Sequence, residues 1–343
     1  MLNRKRIVIY LILCCCALFV VIAWSKREKT ASCEYLNLSF LNLEHPVLNH
    51  QNVYLTVSTG ANLNSVDSLI KCDLNTGKRE TLFRTRHKEA IMQWTKVNDD
   101  WLVWVDASSD GYDESIMVMN LKNRSIKELS RTNPECIIAA TPQLYKNYVV
   151  WIEANDQKIM ELKLFNLKTE ETKTIAQMKK YSFYNAFPYI GEGKVLWTDS
   201  INGKGYYYLY DLKSGKKRQY QAQRPYPSYA IYSNHKIFSL DFDDYTRWEG
   251  QTLVYLDLKS KKFYSLDTGK AVVNHFEVYQ DQIAVLDENQ QLRLYVLQKD
   301  DLVQKKIELA TNPVSIQYDQ EGNLMIVYEN SFGTPKIGVI HHR

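Results

Sequence analysis

A nine-residue loop, DASSDGYDE, has the residue types and the spacing of a calcium-binding loop. It places side-chain oxygens at Asp106, Ser108, Asp110 and Glu114, with a glycine for a sharp turn between the last two. Hard oxygen ligands at alternating positions are what Ca²⁺ requires. The twelfth position holds Met117, so the loop is not an EF-hand, and Asp and Gly are also common in ordinary hairpin turns. The sequence therefore leaves two interpretations of this loop, a Ca²⁺ site or a plain turn.

An acidic residue ends a short apolar run six times along the chain. These acids are Asp106, Glu153, Asp199, Asp241, Asp287 and Glu329. A carboxylate at the end of a strand can accept backbone N–H bonds in the turn that follows. An acid that recurs in six repeats is not expected to be a catalytic group in each of them. We therefore expect them to have a structural role.

The seven histidines form no catalytic or metal-binding pattern. The chain has no HExxH motif, and its one adjacent pair, His341 and His342, would point to opposite faces of a strand. No GxSxG nucleophile motif and no Gly-Lys-Ser/Thr phosphate loop are present. The sequence thus predicts no catalytic residue. An enzyme that gathers histidines from distant parts of the chain stays an open alternative.

These residues belong to a repeated unit of strands. The leucines at 74, 121, 167, 212 and 258 are spaced by 47, 46, 45 and 46 residues. The clearest copy reads VLWTDSINGKGYYYLYDLKSG from Val195 to Gly215. Short β-rich runs bounded by Asn, Asp and Gly indicate four strands per unit, and no segment has sustained helical periodicity. A period of this size is typical of solenoids, propellers and arrays.

The strand pattern favours an all-β, seven-bladed β-propeller, with six or eight blades as alternatives. Strands that are apolar on both faces need a sheet on each side, and four-stranded blades stacked around an axis provide this. The last unit lacks an outer strand, whereas residues 35–41 form a strand-like run with no unit of its own. We predict that this run closes the ring and removes an open edge. Residues 30–343 would then form one ectodomain.

Residues 1–29 are predicted to be a cytoplasmic tip and a transmembrane anchor. An uncharged run of 18 residues extends from Ile7 to Trp24, which is about 27 Å of helix and close to the thickness of the bilayer core. Basic residues ahead of the run predict a cytoplasmic N-terminus and an extracellular C-terminal domain. A cleaved signal peptide is the alternative, although the bulky Trp24 makes a poor cleavage site.

The charge balance argues against a nucleic-acid partner for the folded part. The whole chain has a formal net charge of +4, but residues 1–30 contain six of its basic residues and one acid. The remainder carries 37 basic and 38 acidic residues and is almost neutral. A nucleic-acid-binding domain is expected to carry a basic surface.

Two consecutive units resemble a known repeat that reads roughly P-x-I-x-G-x-x-V-V-W-x-D, a loop, and I-Y-x-Y-D-L-x-T-G. The matching residues are Pro188, Ile190, Gly191, Val195, Trp197, Asp199, Tyr208, Tyr210, Asp211, Leu212 and Gly215, with Pro142, Val149, Val150, Trp151 and Glu153 in the preceding unit. On these residues the chain resembles the TolB-like β-propeller repeat family, particularly its bacterial cell-surface members. The resemblance implies a propeller fold. The similar proteins include protein-interaction modules and, more distantly, lyases and peptidase propeller domains.

We expect the protein to bind an envelope protein or a glycan through a rim of loops around blades three to five. In a propeller, the loops between blades and the loops from second to third strands emerge on the same face. Tyr, Trp and Arg are the residue types that dominate binding hot spots. The candidates are Tyr181, Tyr184, Arg224, Tyr226, Tyr229, Tyr245, Arg247 and Trp248. Packing of some of these rings between blades is the simpler alternative, and a propeller enzyme such as a polysaccharide lyase is the alternative function. Apart from the Ca²⁺ hypothesis, the sequence predicts no cofactor.

Overall fold

A computed structural model of the chain describes residues 34–37, 43–60, 65–132, 138–155, 157–178, 182–247, 249–268, 271–298, 301–307, 309, 313–329 and 335–342. The predicted anchor in residues 1–29 lies outside these ranges. Within them, no helix is long and apolar enough to cross a membrane.

Seven four-stranded antiparallel sheets make up the described structure. The predicted all-β, seven-bladed β-propeller is therefore confirmed. The first four blades comprise β2 (Leu43–Asn49), β3 (Asn52–Val57), β4 (Ser68–Asp73) and β5 (Arg79–Arg84); β6 (Ala90–Val97), β7 (Trp101–Ser108), β8 (Glu114–Asn120) and β9 (Ile126–Arg131); β10 (Ile138–Tyr145), β11 (Tyr148–Ala154), β12 (Met160–Asn166) and β13 (Glu171–Met178); and β14 (Tyr189–Gly191), β15 (Lys194–Ile201), β16 (Lys204–Asp211) and β17 (Lys217–Gln221). A short 3₁₀ turn, Phe183–Asn185, precedes blade 4.

The remaining three blades follow the same order, with one exception at the end of the ring. They comprise β18 (Tyr226–Ser233), β19 (Lys236–Phe242), β20 (Thr252–Asp257) and β21 (Lys262–Ser265); β22 (Val273–Tyr279), β23 (Gln282–Asp287), β24 (Leu292–Gln298) and β25 (Asp301–Lys305); and β26 (Pro313–Tyr318), β27 (Leu324–Glu329), β28 (Pro335–Ile340) and β1 (Glu34–Asn37).

The exception is the outer strand of blade 7, which comes from the start of the chain. Strand β1 pairs antiparallel with β28, from Glu34 opposite Val339 to Asn37 opposite Lys336. This is the edge to which the sequence analysis assigned residues 35–41, of which 38–41 lie outside the described residues. The pairing joins the two ends of the domain by backbone hydrogen bonds and covers an otherwise open strand edge.

Burial falls from the second strand to the fourth in blades 1–6. In β7 only the first and last of eight residues keep solvent contact, whereas most residues of β9 are exposed. Seven apolar clusters, one in each interface between neighbouring blades, account for this gradient. The cluster that packs Leu55 and Val57 against Met325 joins blade 1 to blade 7 and closes the ring. The second and third strands are apolar on both faces because each face meets another blade.

Candidate functional site

The loop from Asp106 to Glu114 is held by its own hydrogen bonds. Ser108 Oγ donates to Asp110 Oδ1 at 2.5 Å, and the N–H of Tyr112 donates to the same oxygen at 3.1 Å. Asp106 is buried and accepts a hydrogen bond from Thr85 Oγ1 at 2.5 Å. Burial raises the pKa of the Glu114 carboxyl.

These contacts are those of a tight hairpin turn. Gly111 has a φ of +72°, which an L side chain would adopt only with strain. No group of three or more His, Cys, Asp or Glu side chains in the described ranges is placed to hold a metal ion. The proposed ligands Asp106, Asp110 and Glu114 therefore form no such group.

Five of the six recurring acids at the ends of the second strands have structural partners, but not all of these partners are the expected ones. The side chain of the sixth, Glu329, lies outside the described part of the structure. The carboxylates of Asp199 and Asp287 accept backbone N–H bonds from the next few residues, as predicted. Asp106, Glu153 and Asp241 instead accept hydrogen bonds from hydroxyl groups of the preceding blade. The donors are Thr85, Ser130 and Tyr207, at 2.5, 2.6 and 2.9 Å. These acids therefore connect neighbouring blades. The pattern within a single repeat could not predict this, because each hydroxyl donor belongs to the preceding repeat.

Three of the predicted binding residues form one aromatic cluster on the rim. The ring centroid of Tyr184 lies 5.4 Å from that of Tyr226 and 5.0 Å from that of Tyr245, and the last two are 4.8 Å apart. Tyr184 precedes blade 4, and Tyr245 lies in the loop between β19 and β20, so these two loop types do emerge on one face, which we call the upper face. Tyr184 is only 2% exposed, whereas Tyr226 and Tyr245 are half-buried.

The predicted arginines lie beside this cluster. Arg224 forms an ion pair with Asp243. Arg247 is 68% exposed and its Nε donates to Asp244 Oδ2 at 2.8 Å. Ion pairs this exposed stabilise a fold little, so Arg247 is available for an intermolecular contact. The remaining two candidates, Tyr181 and Trp248, lie outside the described residues.

The eighth candidate, Tyr229, belongs to a second feature that the sequence did not predict. Fifteen non-glycine residues in the described ranges have a positive φ, and twelve of them lie between strands. The three inside strands are His45 (42°), Trp94 (56°) and Tyr229 (47°). Each lies where the pairing register of an innermost strand shifts, in β2, β6 and β18. These are β-bulges.

The first strand of each blade faces the central channel of a propeller, so the three bulges bring aromatic rings together at the end of that channel that we call its mouth. The ring of His45 lies 4.3 Å from that of Trp94, and the ring of Tyr229 stacks on Phe187 at 4.4 Å with an interplanar angle of 19°. Trp94 and Phe187 are 6.2 Å apart and connect the two pairs. We call these four residues, which come from blades 1, 2, 4 and 5, the collar. All four keep partial solvent contact.

Hydroxyl groups of neighbouring strands stabilise the backbone at two of the bulges. Thr56 on β3 donates at 3.0 Å to the carbonyl of Glu44, directly before His45, and contacts the carbonyl of Met92 at 2.8 Å. The hydroxyl oxygen of Ser239 on β19 lies 3.0 Å from the carbonyl oxygen of Ser228, directly before Tyr229. A positive φ costs a non-glycine residue about 1–2 kcal/mol. Such outliers persist where the surrounding structure fixes them, and they cluster at functional sites.

Charged and polar side chains line the channel below the collar. Lys96 follows Trp94 by two residues on β6, which is about 7 Å further along the strand. With its amide oriented to satisfy both neighbours, Gln317 on β26 accepts from Lys96 Nζ at 3.1 Å and donates to a carbonyl of blade 1 at 3.1 Å. Glu277 on β22 accepts from His275 Nε2 at 3.0 Å and interacts electrostatically with Lys96. We call Lys96, Glu277, His275 and Gln317 the floor.

Electrostatics distinguish the collar from the floor. Burial, and then the charge of Lys96, lower the pKa of His45 to about 4. At neutral pH this imidazole is uncharged, and its Nδ1 has no hydrogen-bond partner among the described residues. Burial also lowers the pKa of Lys96, while the charge of Glu277 opposes that change. The site is therefore an uncharged aromatic mouth above a floor with one cation and one anion.

Sequence comparison gives this chain no family. No protein-family model matches it, and no curated protein sequence matches it. Its similarity to solved structures shows the fold. The β-propeller domain of the trilobed protease from Pyrococcus furiosus, which has an open velcro topology, aligns with a TM-score of 0.64 and 12% identity over 88% of this chain and 95% of its own.

Two further solved structures represent different uses of the propeller fold. An oligogalacturonate lyase in complex with manganese aligns with a TM-score of 0.63 and 12% identity, over 92% of this chain and 97% of the lyase. TolB from Acinetobacter baumannii aligns with a TM-score of 0.50 and 9% identity, over 85% of this chain and 64% of TolB. The TolB-like resemblance therefore holds at the level of the β-propeller fold.

Proposed function

We propose that this protein is a binding propeller of the bacterial cell envelope, tethered to the membrane by residues 1–29 with its propeller outside. Its ligand, an envelope protein or a glycan, would bind at the collar and the adjoining rim of blades 3–5. The observation that carries the proposal is the collar, where three strained residues direct aromatic rings to one channel mouth. Large, partly exposed rings beside a few polar groups are the usual lining of a ligand site.

The rim extends this surface to one side. Tyr226 and Tyr245 keep partial exposure above the buried Tyr184, and the exposed Arg247 borders them. Aromatic and Arg side chains supply much contact area at low entropic cost, which suits a protein or glycan surface. The near-neutral charge of residues 31–343 supports a partner other than nucleic acid.

Glycine substitutions can test the collar without breaking the strand. The double variant Trp94→Gly with Tyr229→Gly removes two rings of the collar. Both positions have a positive φ, which glycine adopts without strain. The matched control, Lys146→Gly with His235→Gly, makes the same change at two exposed positive-φ positions. These lie in turns from first to second strands, on the face opposite the upper face, which we call the lower face. The collar variant should stay folded and lose capture of the envelope ligand, while the control keeps it. Undiminished capture by the folded collar variant would overturn the proposal.

The tether is tested separately. Protease added to intact cells should remove the propeller, and the mature protein should begin before residue 7. A propeller that intact cells protect, or a mature N-terminus after Ser25, would contradict the tether and leave the binding proposal standing.

A second candidate function is a polysaccharide lyase, favoured by the groups in the channel floor. His275 and Glu277 could remove a proton, and Lys96 could neutralise the carboxylate of a sugar acid. Such a lyase would form an unsaturated product that absorbs ultraviolet light. Release of this product from polyuronates by the wild type, and its loss in Glu277→Gln, would favour the lyase over the binding role.

A further inference from the structure

Lys96 is a cation in an unusual position. Lys96 is deeply set in the protein, yet the residue keeps partial contact with solvent. A group that is enclosed and still accessible lines an internal channel. No carboxylate oxygen of the described residues lies within 4.0 Å of its Nζ. Buried charges in proteins are normally paired, because an unpaired charge loses its hydration without compensation.

The contacts that Lys96 does make leave its charge poorly balanced. Gln317 accepts one hydrogen bond at 3.1 Å, and an ammonium group has three to donate. The negative charge of Glu277 reduces the free-energy cost of burying the Lys96 ammonium group from a distance. The Glu277 carboxylate, however, already accepts a hydrogen bond from His275 at 3.0 Å. An anion that entered the channel would therefore gain a charge-assisted hydrogen bond with little competition.

Resting on the proposed binding function, we infer that the floor is a subsite for the carboxylate of an acidic sugar, with Lys96 Nζ as the group that binds it. The sugar ring would then lie in the collar above, against Trp94 and Tyr229. Its hydroxyl groups would meet side chains that both accept and donate, namely Glu277, His275 and Gln317. A uronic acid residue combines these three features, a carboxylate, an apolar C–H face and several hydroxyls.

A peptide ending in a carboxylate lacks the several hydroxyls of a sugar ring. The polar groups on the floor are side chains suited to hydroxyls, and aromatic rings with polar side chains at their edge are well suited to sugars. Trp94 precedes Lys96 by two residues on β6, about 7 Å along the strand, which is close to the length of a single sugar ring. The geometry therefore favours a saccharide.

The test uses full-length protein in detergent and two probes, D-glucuronate and D-glucose, which differ at the carboxylate. Binding is measured by saturation-transfer NMR titration. The wild type should bind glucuronate at least tenfold more tightly than glucose. Lys96→Met should bring the two affinities to parity, and so should Gln317→Glu, which supplies a competing carboxylate beside Lys96. Lys213→Met, on an exposed turn, is the charge-matched control and should keep the wild-type preference.

The outcomes separate this inference from the proposed function. Equal affinities for the two sugars in the wild type, binding of neither sugar, or an unchanged preference in folded Lys96→Met would each overturn the acidic-sugar subsite. Binding of acetyl-dialanine but not glucuronate, with dependence on Lys96, would assign the floor to a peptide and overturn the saccharide. In each case the proposed function stands if the collar variant still loses capture of the envelope ligand.

Discussion

Asp241 makes the stability of blades 4 and 5 depend on pH. Its side chain is fully buried at the end of β19, where Tyr207 of blade 4 donates to both carboxylate oxygens at 2.9 Å and Ser239 donates at 2.7 Å. Burial nevertheless dominates and raises the pKa of Asp241 to about 6. The folded protein thus holds this proton more tightly than the unfolded chain, in which an Asp pKa is about 4.

The sign and the size of the effect follow from linkage. The proton's contribution to stability is fully present below pH about 4 and is lost as the pH rises through about 6. A rise in pKa from about 4 to about 6 corresponds to about 3 kcal/mol in the free energy of unfolding. The Asp241→Asn side chain has the same shape as aspartate but cannot ionise. The loss of unfolding free energy with rising pH should therefore disappear in this variant.

Urea denaturation at several pH values measures the effect. Relative to the wild type, Asp241→Asn should gain about 2 kcal/mol of unfolding free energy between pH 4 and pH 7, because part of the full effect is already lost at pH 4. Tyr207→Phe should act in the opposite direction, because it removes the hydroxyl that stabilises the charged form. Parallel curves for the wild type and Asp241→Asn over this range would refute the reasoning.

Three further predictions concern closure and packing. Deletion of residues 30–43, which removes β1 from β28, should lower the melting temperature by several degrees in a calorimetric scan, and an unchanged transition would contradict closure. Gly205→Ala should cost about 1–3 kcal/mol in urea denaturation, since its Cβ would lie 2.3 Å from the carbonyl oxygen of Arg224, whereas wild-type stability would show that the chain moves aside. Trp104→Ala, at a fully buried ring, should cost about 3–5 kcal/mol, while Trp94→Gly should cost far less, because it also releases backbone strain. Equal losses for the two would argue against a strained Trp94.

The architecture could be predicted because each blade repeats the same physical problem. Second strands such as β7 and β19 must be apolar on both faces to pack between two neighbours, and that pattern is visible in a single sequence. The spacing of the leucines indicated the length of the repeat, and the apolar second-strand runs indicated seven blades, with six or eight as alternatives. The role of the strand-like run before the first blade could be predicted from the same repeat, because the last unit contains only three strands and needs a fourth.

The collar could not be predicted because its position depends on backbone geometry. A β-bulge shifts the alternation of a strand by one residue, so Trp94 and Tyr229 face the channel where regular alternation gives no reason to expect it. Tyr229 was predicted as a binding residue only because it lies beside Arg224 and Tyr226 in loop-like sequence. The floor was missed because Lys96, Glu277 and Gln317 come from three blades that are far apart in the chain. A positively charged residue in an innermost strand, two positions after a Trp, was the one available signal.

Site-specific photocrosslinking in the native envelope tests the central claim most directly. A benzophenone amino acid replaces Phe187 in the collar or, as the control, His235 on the lower face, in the full-length protein. Ultraviolet irradiation of intact cells should yield an adduct with the envelope ligand from position 187 and none from position 235. An adduct from position 235 alone would contradict a binding site at the collar.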